Sequence, residues 1–220
     1  MADTSNDVAR GLVEGMTVHG FTVERIEKLD EIDGLAVVMR HEQTATPLLW
    51  LANDDANKSF SITFKTPPAD STGVFHILEH SVLCGSDLYP VKEPFVNLLK
   101  SSMQTFLNAL TFSDKTMYPV ASTNERDLLN LMSVYLDAVL FPQLYHKRAI
   151  FEQEGWHYEV EGEGDERRLV TNGVVLNEMR GAMSDPDEVA LAGLNEALFP
   201  DTAYGFESGG DPQVIPTLTY

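Results

Sequence analysis

The sequence predicts an α+β domain in which helices pack on one face of a mainly antiparallel sheet. Short runs rich in β-branched and aromatic residues, separated by Asn, Asp, Pro and Gly, predict strands. Longer segments with apolar residues at spacings of three and four predict helices with one buried face. The two kinds of segment interleave without the regular alternation of a parallel βαβ sheet. At 220 residues with 43% apolar side chains, the chain is long enough for a substantial core.

The predicted strands follow one another in groups along the chain. A polar amino-terminal segment with a first strand occupies 1–33, and 34–220 is expected to form the domain that carries the chemistry. The further strands are predicted at 34–40, 48–52, 59–65, 105–110, 117–122 and 156–161. Residues 112–115 are a plausible hairpin turn. The chain stops after a Gly-Gly-Asp-Pro turn, so we expect the amino-terminal piece of a longer protein, incomplete at its carboxyl end.

The predicted helices are recognised by their caps and their apolar periodicity. Asp70, Ser71 and Thr72 are suitable caps for a helix over 73–83. Asn124 precedes a periodic segment that Pro142 ends. Two further helices are predicted at 173–182 and from Pro186 to about residue 198.

The strong negative charge restricts the partners. Fifteen basic and 34 acidic side chains give a net charge of −19, which repels nucleic acid and anionic lipid headgroups. We therefore expect neither nucleic acid nor membrane as a partner. Two interpretations of the charge remain open: a solubilising surface, or an acidic cavity that attracts basic ligands.

The cysteine count and the polar start suggest a compartment. Cys84 is the only cysteine, which excludes an internal disulfide and fits a reducing environment. Its thiol could be reactive, or the residue could serve as a small buried hydrophobe. No secretory or transit signal is visible, and no apolar run approaches the roughly 20 residues that span a bilayer. A cytoplasmic location is therefore expected.

The strongest chemical signal is His76-Ile-Leu-Glu79-His80. Histidines four residues apart on a helix share one face and can bind one zinc ion. Glu79 stands next to the second histidine, where its carboxylate can take a proton from an attacking water. This H-x-x-E-H order is the inverzincin signature. The alternative is an ordinary helix with two satisfied histidines and a solvated glutamate.

A hydrolytic zinc site needs a third protein ligand from another element. Glu178 lies on the predicted helix 173–182 among apolar neighbours, although a lone helical glutamate is usually solvated. The remaining histidines have no ligand-like spacing; they are His19, His41, His146 and His157.

Four segments in order resemble the pitrilysin/insulysin-type zinc metallopeptidases, and most closely the presequence protease and falcilysin branch. They are HILEHSVLCGSDLYPVKEPF (76–95), FLNALTFSDKTMYPV (106–120), QEGWHYE (153–159) and GVVLNEMRG (173–181). The resemblance implies a site with one zinc ion, in which Glu178 is the third ligand. It also implies that peptides add as a strand to an edge strand that includes Leu107, Asn108 and Ala109. From its own chemistry, Asn108 would be a turn or bulge residue.

The resemblance has two gaps. Pitrilysin has a glutamate seven residues before its glutamate ligand, where this chain has Thr171. Another group must then orient the site, and Glu154 is the candidate. Family members also use an Arg and a Tyr from the far half of a longer chain, whose halves close around the peptide. We expect that carboxyl-terminal remainder as a partner of this segment.

The expected function is therefore that of a zinc metalloendopeptidase that hydrolyses short unstructured peptides, with basic peptides favoured. The isolated segment is expected to be inactive or weakly active. The rival hypothesis is a non-catalytic structural partner of the same fold in a peptidase or processing complex.

Overall fold

The computed structural model describes residues 5–92 and 94–220. The first four residues of the predicted polar start, and Glu93 of the first motif, lie outside the described part. The helices are α1 (Ser5–Arg10), α2 (Val74–Val82), α3 (Pro94–Ser101), α4 (Glu125–Leu140), α5 (Arg148–Glu154), α6 (Val174–Ala182) and α7 (Pro186–Leu198). The strands are β1 (Thr17–Val18), β2 (Phe21–Leu29), β3 (Gly34–His41), β4 (Pro47–Ala52), β5 (Lys58–Lys65), β6 (Gln104–Leu107), β7 (Leu110–Thr111), β8 (Lys115–Ser122), β9 (His157–Glu161) and β10 (Arg168–Asn172).

The chain divides into two compact units, and the first ends at Ala56. Its sheet has the order β1-β2-β3-β4 with antiparallel pairing throughout. A small core of buried side chains, including Val23 and Val37, holds it together. The predicted boundary between residues 33 and 34 falls between β2 and β3, which pair along their length. The first unit therefore extends beyond the predicted 1–33 segment.

The second unit, Asn57–Tyr220, carries the site. Its main sheet has the order β5-β8-β6, and β7 also pairs with β8. Helix α4 packs against this sheet through the buried side chains of Leu131 and Tyr135, which join Tyr118 and Val120 in one cluster. Asn124 caps α4 by accepting a hydrogen bond from the Asp127 amide, as its position predicted.

A second apolar cluster holds together the three helices of the site. Ile77 of α2, Phe151 of α5 and the Val175–Leu176 pair of α6 are buried against one another. Residues so closely packed keep a single arrangement, because any displacement opens a void or causes overlap. The polar faces of these helices are therefore held in a fixed relation.

The α+β class is confirmed, and every strand pair formed by the described residues is antiparallel. Within those residues, no helix has the length and apolarity needed to cross a membrane.

The sequence did not predict the short elements α3, α5 and β10. The predicted caps of α2 were wrong: the helix starts at Gly73 without a side-chain cap, and Asp70 instead accepts bonds from Thr72.

The predicted strand 105–110 is broken into β6 and β7, with Asn108 and Ala109 between them. The Asn108 amide donates to the Pro119 carbonyl over 3.3 Å. Pro119 has no N–H group, so it cannot donate a hydrogen bond to the Asn108 carbonyl in return. The Asn108 side chain then accepts from the Ala109 amide at 2.9 Å. Asn108 is therefore a turn-like residue, as its chemistry alone indicated.

Candidate active site

Helix α2 presents both motif histidines on one side. His76 and His80 are one turn apart, and their ring centroids are separated by 4.9 Å. The helix begins after Gly73, which has φ +67°. A Cβ at this position would lie 2.6 Å from the Gly209 carbonyl oxygen, so the glycine allows the segment around Gly209 to approach the helix.

The Gly209 carbonyl fixes the orientation of His76. His76 is buried, and its Nδ1 lies 2.9 Å from this oxygen. Because a carbonyl can only accept, Nδ1 must carry the proton and donate. The lone pair of Nε2 is then available for a metal ion. The sequence offered no sign of this contact, which joins residues 133 positions apart.

Glu154 of α5 orients His80 in the same way. Its Oε2 lies 3.3 Å from His80 Nδ1, and its Oε1 accepts bonds from Cys84 Sγ at 3.3 Å and Gln153 Nε2 at 2.8 Å. Burial lowers the pKa of His80, but the bond to Glu154 and the nearby carboxylates together raise it above its ordinary value. Glu154, the candidate orienting residue, thus lies within hydrogen-bond distance of His80 Nδ1.

The hydrogen bonds of Glu154 also keep it ionised. Burial raises the pKa of this carboxyl group, but the bonds from His80, Gln153 and Cys84 outweigh burial and lower the pKa overall. Cys84 thus donates to a carboxylate, a role that neither of its two predicted interpretations included.

Glu178 on α6 completes a group of three possible metal ligands. Its Oε2 lies 3.7 Å from His76 Nε2 and 3.6 Å from His80 Nε2. The candidate ligand atoms all lie within 4.8 Å of one another. Ligands about 2.0–2.1 Å from a tetrahedral zinc ion are separated by about 3.4 Å. The two nitrogens and one oxygen are ligand atoms that zinc accepts, and the two separations from the Glu178 oxygen, 3.6 and 3.7 Å, are close to that value.

Glu79 is buried and faces the same cavity as the ligand group. Burial, followed by the charge of Glu79, raises the pKa of both Tyr118 and Tyr135. These two phenols therefore stay neutral. The Tyr135 hydroxyl donates to the Asn108 carbonyl at 3.2 Å, which ties the strand break to the core.

The cavity has a volume of about 800 Å³. Its polar lining includes three carboxylates, those of Glu79, Glu154 and Glu178. Asn108 and Ala109 line it on the side of the broken strand, whereas Leu107 is buried in the core. Within the described part of the chain, no Lys, Arg or Tyr lines the cavity.

The chain is similar in sequence to several known proteins. No family model matches the chain. Protein HypA of Clostridium perfringens is 56% identical over 201 residues, which cover 91% of this chain and 20% of that protein. Presequence protease 1, chloroplastic/mitochondrial, of Arabidopsis thaliana is 50% identical over 91% of this chain and 18% of its own length. The mitochondrial presequence protease of Mus musculus is 46% identical over 94% of this chain and 20% of its own length.

Among solved structures, pitrilysin has the same fold, with a TM-score of 0.63 at 18% identity. The match covers 89% of this chain and 19% of pitrilysin. The chain is similar in sequence to the presequence proteases and in fold to pitrilysin, and it spans about a fifth of the length of these relatives. The resemblance found in the four motifs is confirmed.

The expected cytoplasmic location was wrong. Relatives 50% and 46% identical to this chain are named as chloroplastic or mitochondrial proteins, although HypA is from a bacterium. A single cysteine and an acidic composition do not distinguish one reducing compartment from another.

Proposed function

We propose that this chain supplies the metal ligands and the catalytic base of a zinc-dependent endopeptidase that acts on unstructured peptides. The observation that carries the proposal is the grouping of His76, His80 and Glu178 within 4.8 Å, beside the buried carboxylate of Glu79. When bound, zinc would polarise the peptide carbonyl and acidify a water molecule. The relatives are about five times as long as this chain, so the activity is proposed for a protein of that length, of which this chain supplies the metal site.

The protein side chains have separate tasks in the proposed reaction. His76, His80 and Glu178 hold the ion, while the Gly209 carbonyl and Glu154 orient the two imidazoles. Glu79 accepts a proton from the water that attacks the peptide carbonyl. It then gives this proton to the departing amine nitrogen as the C–N bond breaks.

The edge of the main sheet supports a mode of peptide binding. β6 pairs with β8 on one side and stands at the end of the sheet order β5-β8-β6. A peptide that adds to this edge next to Leu107, Asn108 and Ala109 would lie beside the cavity that contains Glu79. Because such binding uses backbone hydrogen bonds, it would tolerate many peptide sequences.

Replacing a metal ligand tests the zinc site directly. His76→Ala, His80→Ala and Glu178→Ala should each reduce the zinc content of the full-length protein from about one ion per chain to almost none, because a hydrolytic site needs three protein ligands. Zinc content after gel filtration is the measurement, and His146→Ala, an exposed histidine outside the site, is the control. A wild-type protein without zinc would instead favour a non-catalytic structural partner.

The acidic cavity predicts a preference for basic peptides. Full-length protein should cleave a Lys/Arg-rich peptide about tenfold faster than a Glu/Asp-rich peptide of equal length at low ionic strength. The difference should shrink at high salt because the attraction is screened. The initial rates of both peptides at two salt concentrations measure the effect. Equal rates throughout would leave the charge of −19 as a solubilising surface only.

A further inference from the structure

The three candidate ligands differ in how their side chains are held. Both histidines donate from Nδ1 to a fixed acceptor, Gly209 for His76 and Glu154 for His80. Within the described part of the chain, no hydrogen bond is formed to the Glu178 carboxylate, which contacts the two imidazoles only at 3.6–3.7 Å. Its side chain is also 53% exposed. The position of this ligand therefore depends on how helix α6 itself is held.

The inner face of α6 is packed, but its start has no side-chain cap. Val175, Leu176 and Met179 bury one side of the helix. The helix begins at Gly173, where a Cβ would lie 2.2 Å from the Gly155 carbonyl oxygen, directly after Glu154. The turn that leads into α6 therefore abuts the end of the helix that supplies the partner of His80.

Arg180 connects the exposed side of α6 to β10, the strand that precedes it, through hydrogen bonds to Thr171. Its Nη1 donates to the Thr171 carbonyl at 2.8 Å and to Asn177 Oδ1 at 3.1 Å. Its Nη2 donates to the Thr171 hydroxyl at 2.6 Å. A planar guanidinium with several donors suits this forked contact, which a lysine could not reproduce.

Asn177, the residue before Glu178, continues the network towards the β9–β10 hairpin. Its Nδ2 donates to Asn172 Oδ1 at 2.5 Å, and the same oxygen accepts from the Gly173 amide at 2.8 Å. Asn172 Nδ2 in turn donates to Glu159 Oε2 at 2.5 Å. A continuous set of side-chain hydrogen bonds thus runs from β9, through the end of β10, to both sides of Glu178 in the helix.

We propose that Asn177 and Arg180 are positioning residues for the metal ligand Glu178. They lock the uncapped start and the exposed face of α6 to the end of β10, so that Glu178 stays within reach of the ion that the two histidines hold. The proposal rests on the zinc site of the proposed function. Both residues are exposed, so they add little buried apolar surface and the packed face of α6 does not depend on them.

The test measures zinc affinity and stability of the metal-free protein in parallel. In the full-length protein, Asn177→Ala and Arg180→Met should each weaken zinc binding about tenfold in competition with a chelator. The melting temperature of the metal-free protein should stay close to that of wild type. Arg148→Met is the matched control, since Arg148 is an exposed arginine on α5 that bonds to Glu152 of its own helix.

A double-mutant cycle separates positioning from general stability. In a Glu178→Gln background, whose weaker zinc binding is titratable at higher zinc concentrations, Arg180→Met should cause almost no further loss, because the ligand it positions is already gone. An additive tenfold loss would overturn the proposal, as would zinc binding of wild-type strength in both single variants. A wild-type protein that binds no zinc would contradict the proposed function itself, on which this inference rests.

Discussion

Glu79→Gln should abolish most peptidase activity of the full-length protein while its zinc content stays at that of wild type. Glutamine has nearly the same shape, but its amide cannot accept and return a proton. A positioned general base contributes about 10²- to 10⁴-fold to the rate, and we expect a loss of kcat in this range. Because Glu79 does not belong to the group of three candidate ligands, metal binding should be unaffected.

The measurement pairs zinc content with kcat for a quenched fluorescent peptide. Glu196→Gln, which changes an exposed glutamate on α7 in the same way, is the matched control and should retain full activity. Normal turnover by Glu79→Gln would show that another group takes the proton. Loss of zinc in this variant would place Glu79 among the ligands instead.

The parts of the site that could be predicted are those in which local spacing determines geometry. His76 and His80 come together because one helical turn separates them, and their apolar neighbours bury that helix. The periodic pattern of α4 and its Asn124 cap are local in the same sense, and both agree with the structure. Glu178 needed the family resemblance, because nothing near it in sequence distinguishes it from a solvated glutamate.

The parts that could not be predicted depend on contacts between distant segments. The Gly209 carbonyl meets His76 because Gly73 and Gly209 lie close in space, and glycines carry no sign of their partners in a single sequence. The break at Asn108 depends on Pro119 in the neighbouring strand. Helix α5 is too short for a periodic pattern, so the placement of Glu154 beside His80 could be suggested only by resemblance.

The metal ligands are therefore easier to identify from the sequence than the groups that orient their side chains. A ligand must have one of a few side chains, whereas an orienting acceptor can be any carbonyl or carboxylate. The network of Asn172, Asn177 and Arg180 illustrates the same point, since amides and guanidinium groups are common on helix surfaces. Only the hydrogen bonds that the structure shows among them identify these residues as one network in the helix that carries Glu178.

The isolated 220-residue chain should bind about one zinc ion yet hydrolyse peptides at least about 10²-fold more slowly than the full-length protein. All three candidate ligands and Glu79 lie in the compact unit Asn57–Tyr220, so the metal site does not need the rest of the chain. Stabilisation of the oxyanion requires hydrogen-bond donors in addition to the metal ligands and the base. A missing oxyanion donor typically costs about 10²- to 10³-fold in rate.

The described cavity lining supports this expectation, because it has three carboxylates and no Lys, Arg or Tyr that could stabilise a developing negative charge. The resemblance to pitrilysin-type peptidases implies that an Arg and a Tyr from the far half of a longer chain would serve this task. The same remainder would also cover the cavity and keep the peptide in a reactive orientation. Zinc content and turnover of one fluorescent peptide should be compared for the isolated chain, its His76→Ala variant and the full-length protein. Zinc bound by the isolated chain and lost in His76→Ala would show that the site is formed, so that slow turnover reports the missing donors. Comparable turnover by the isolated chain would mean that the whole catalytic machinery lies within these 220 residues.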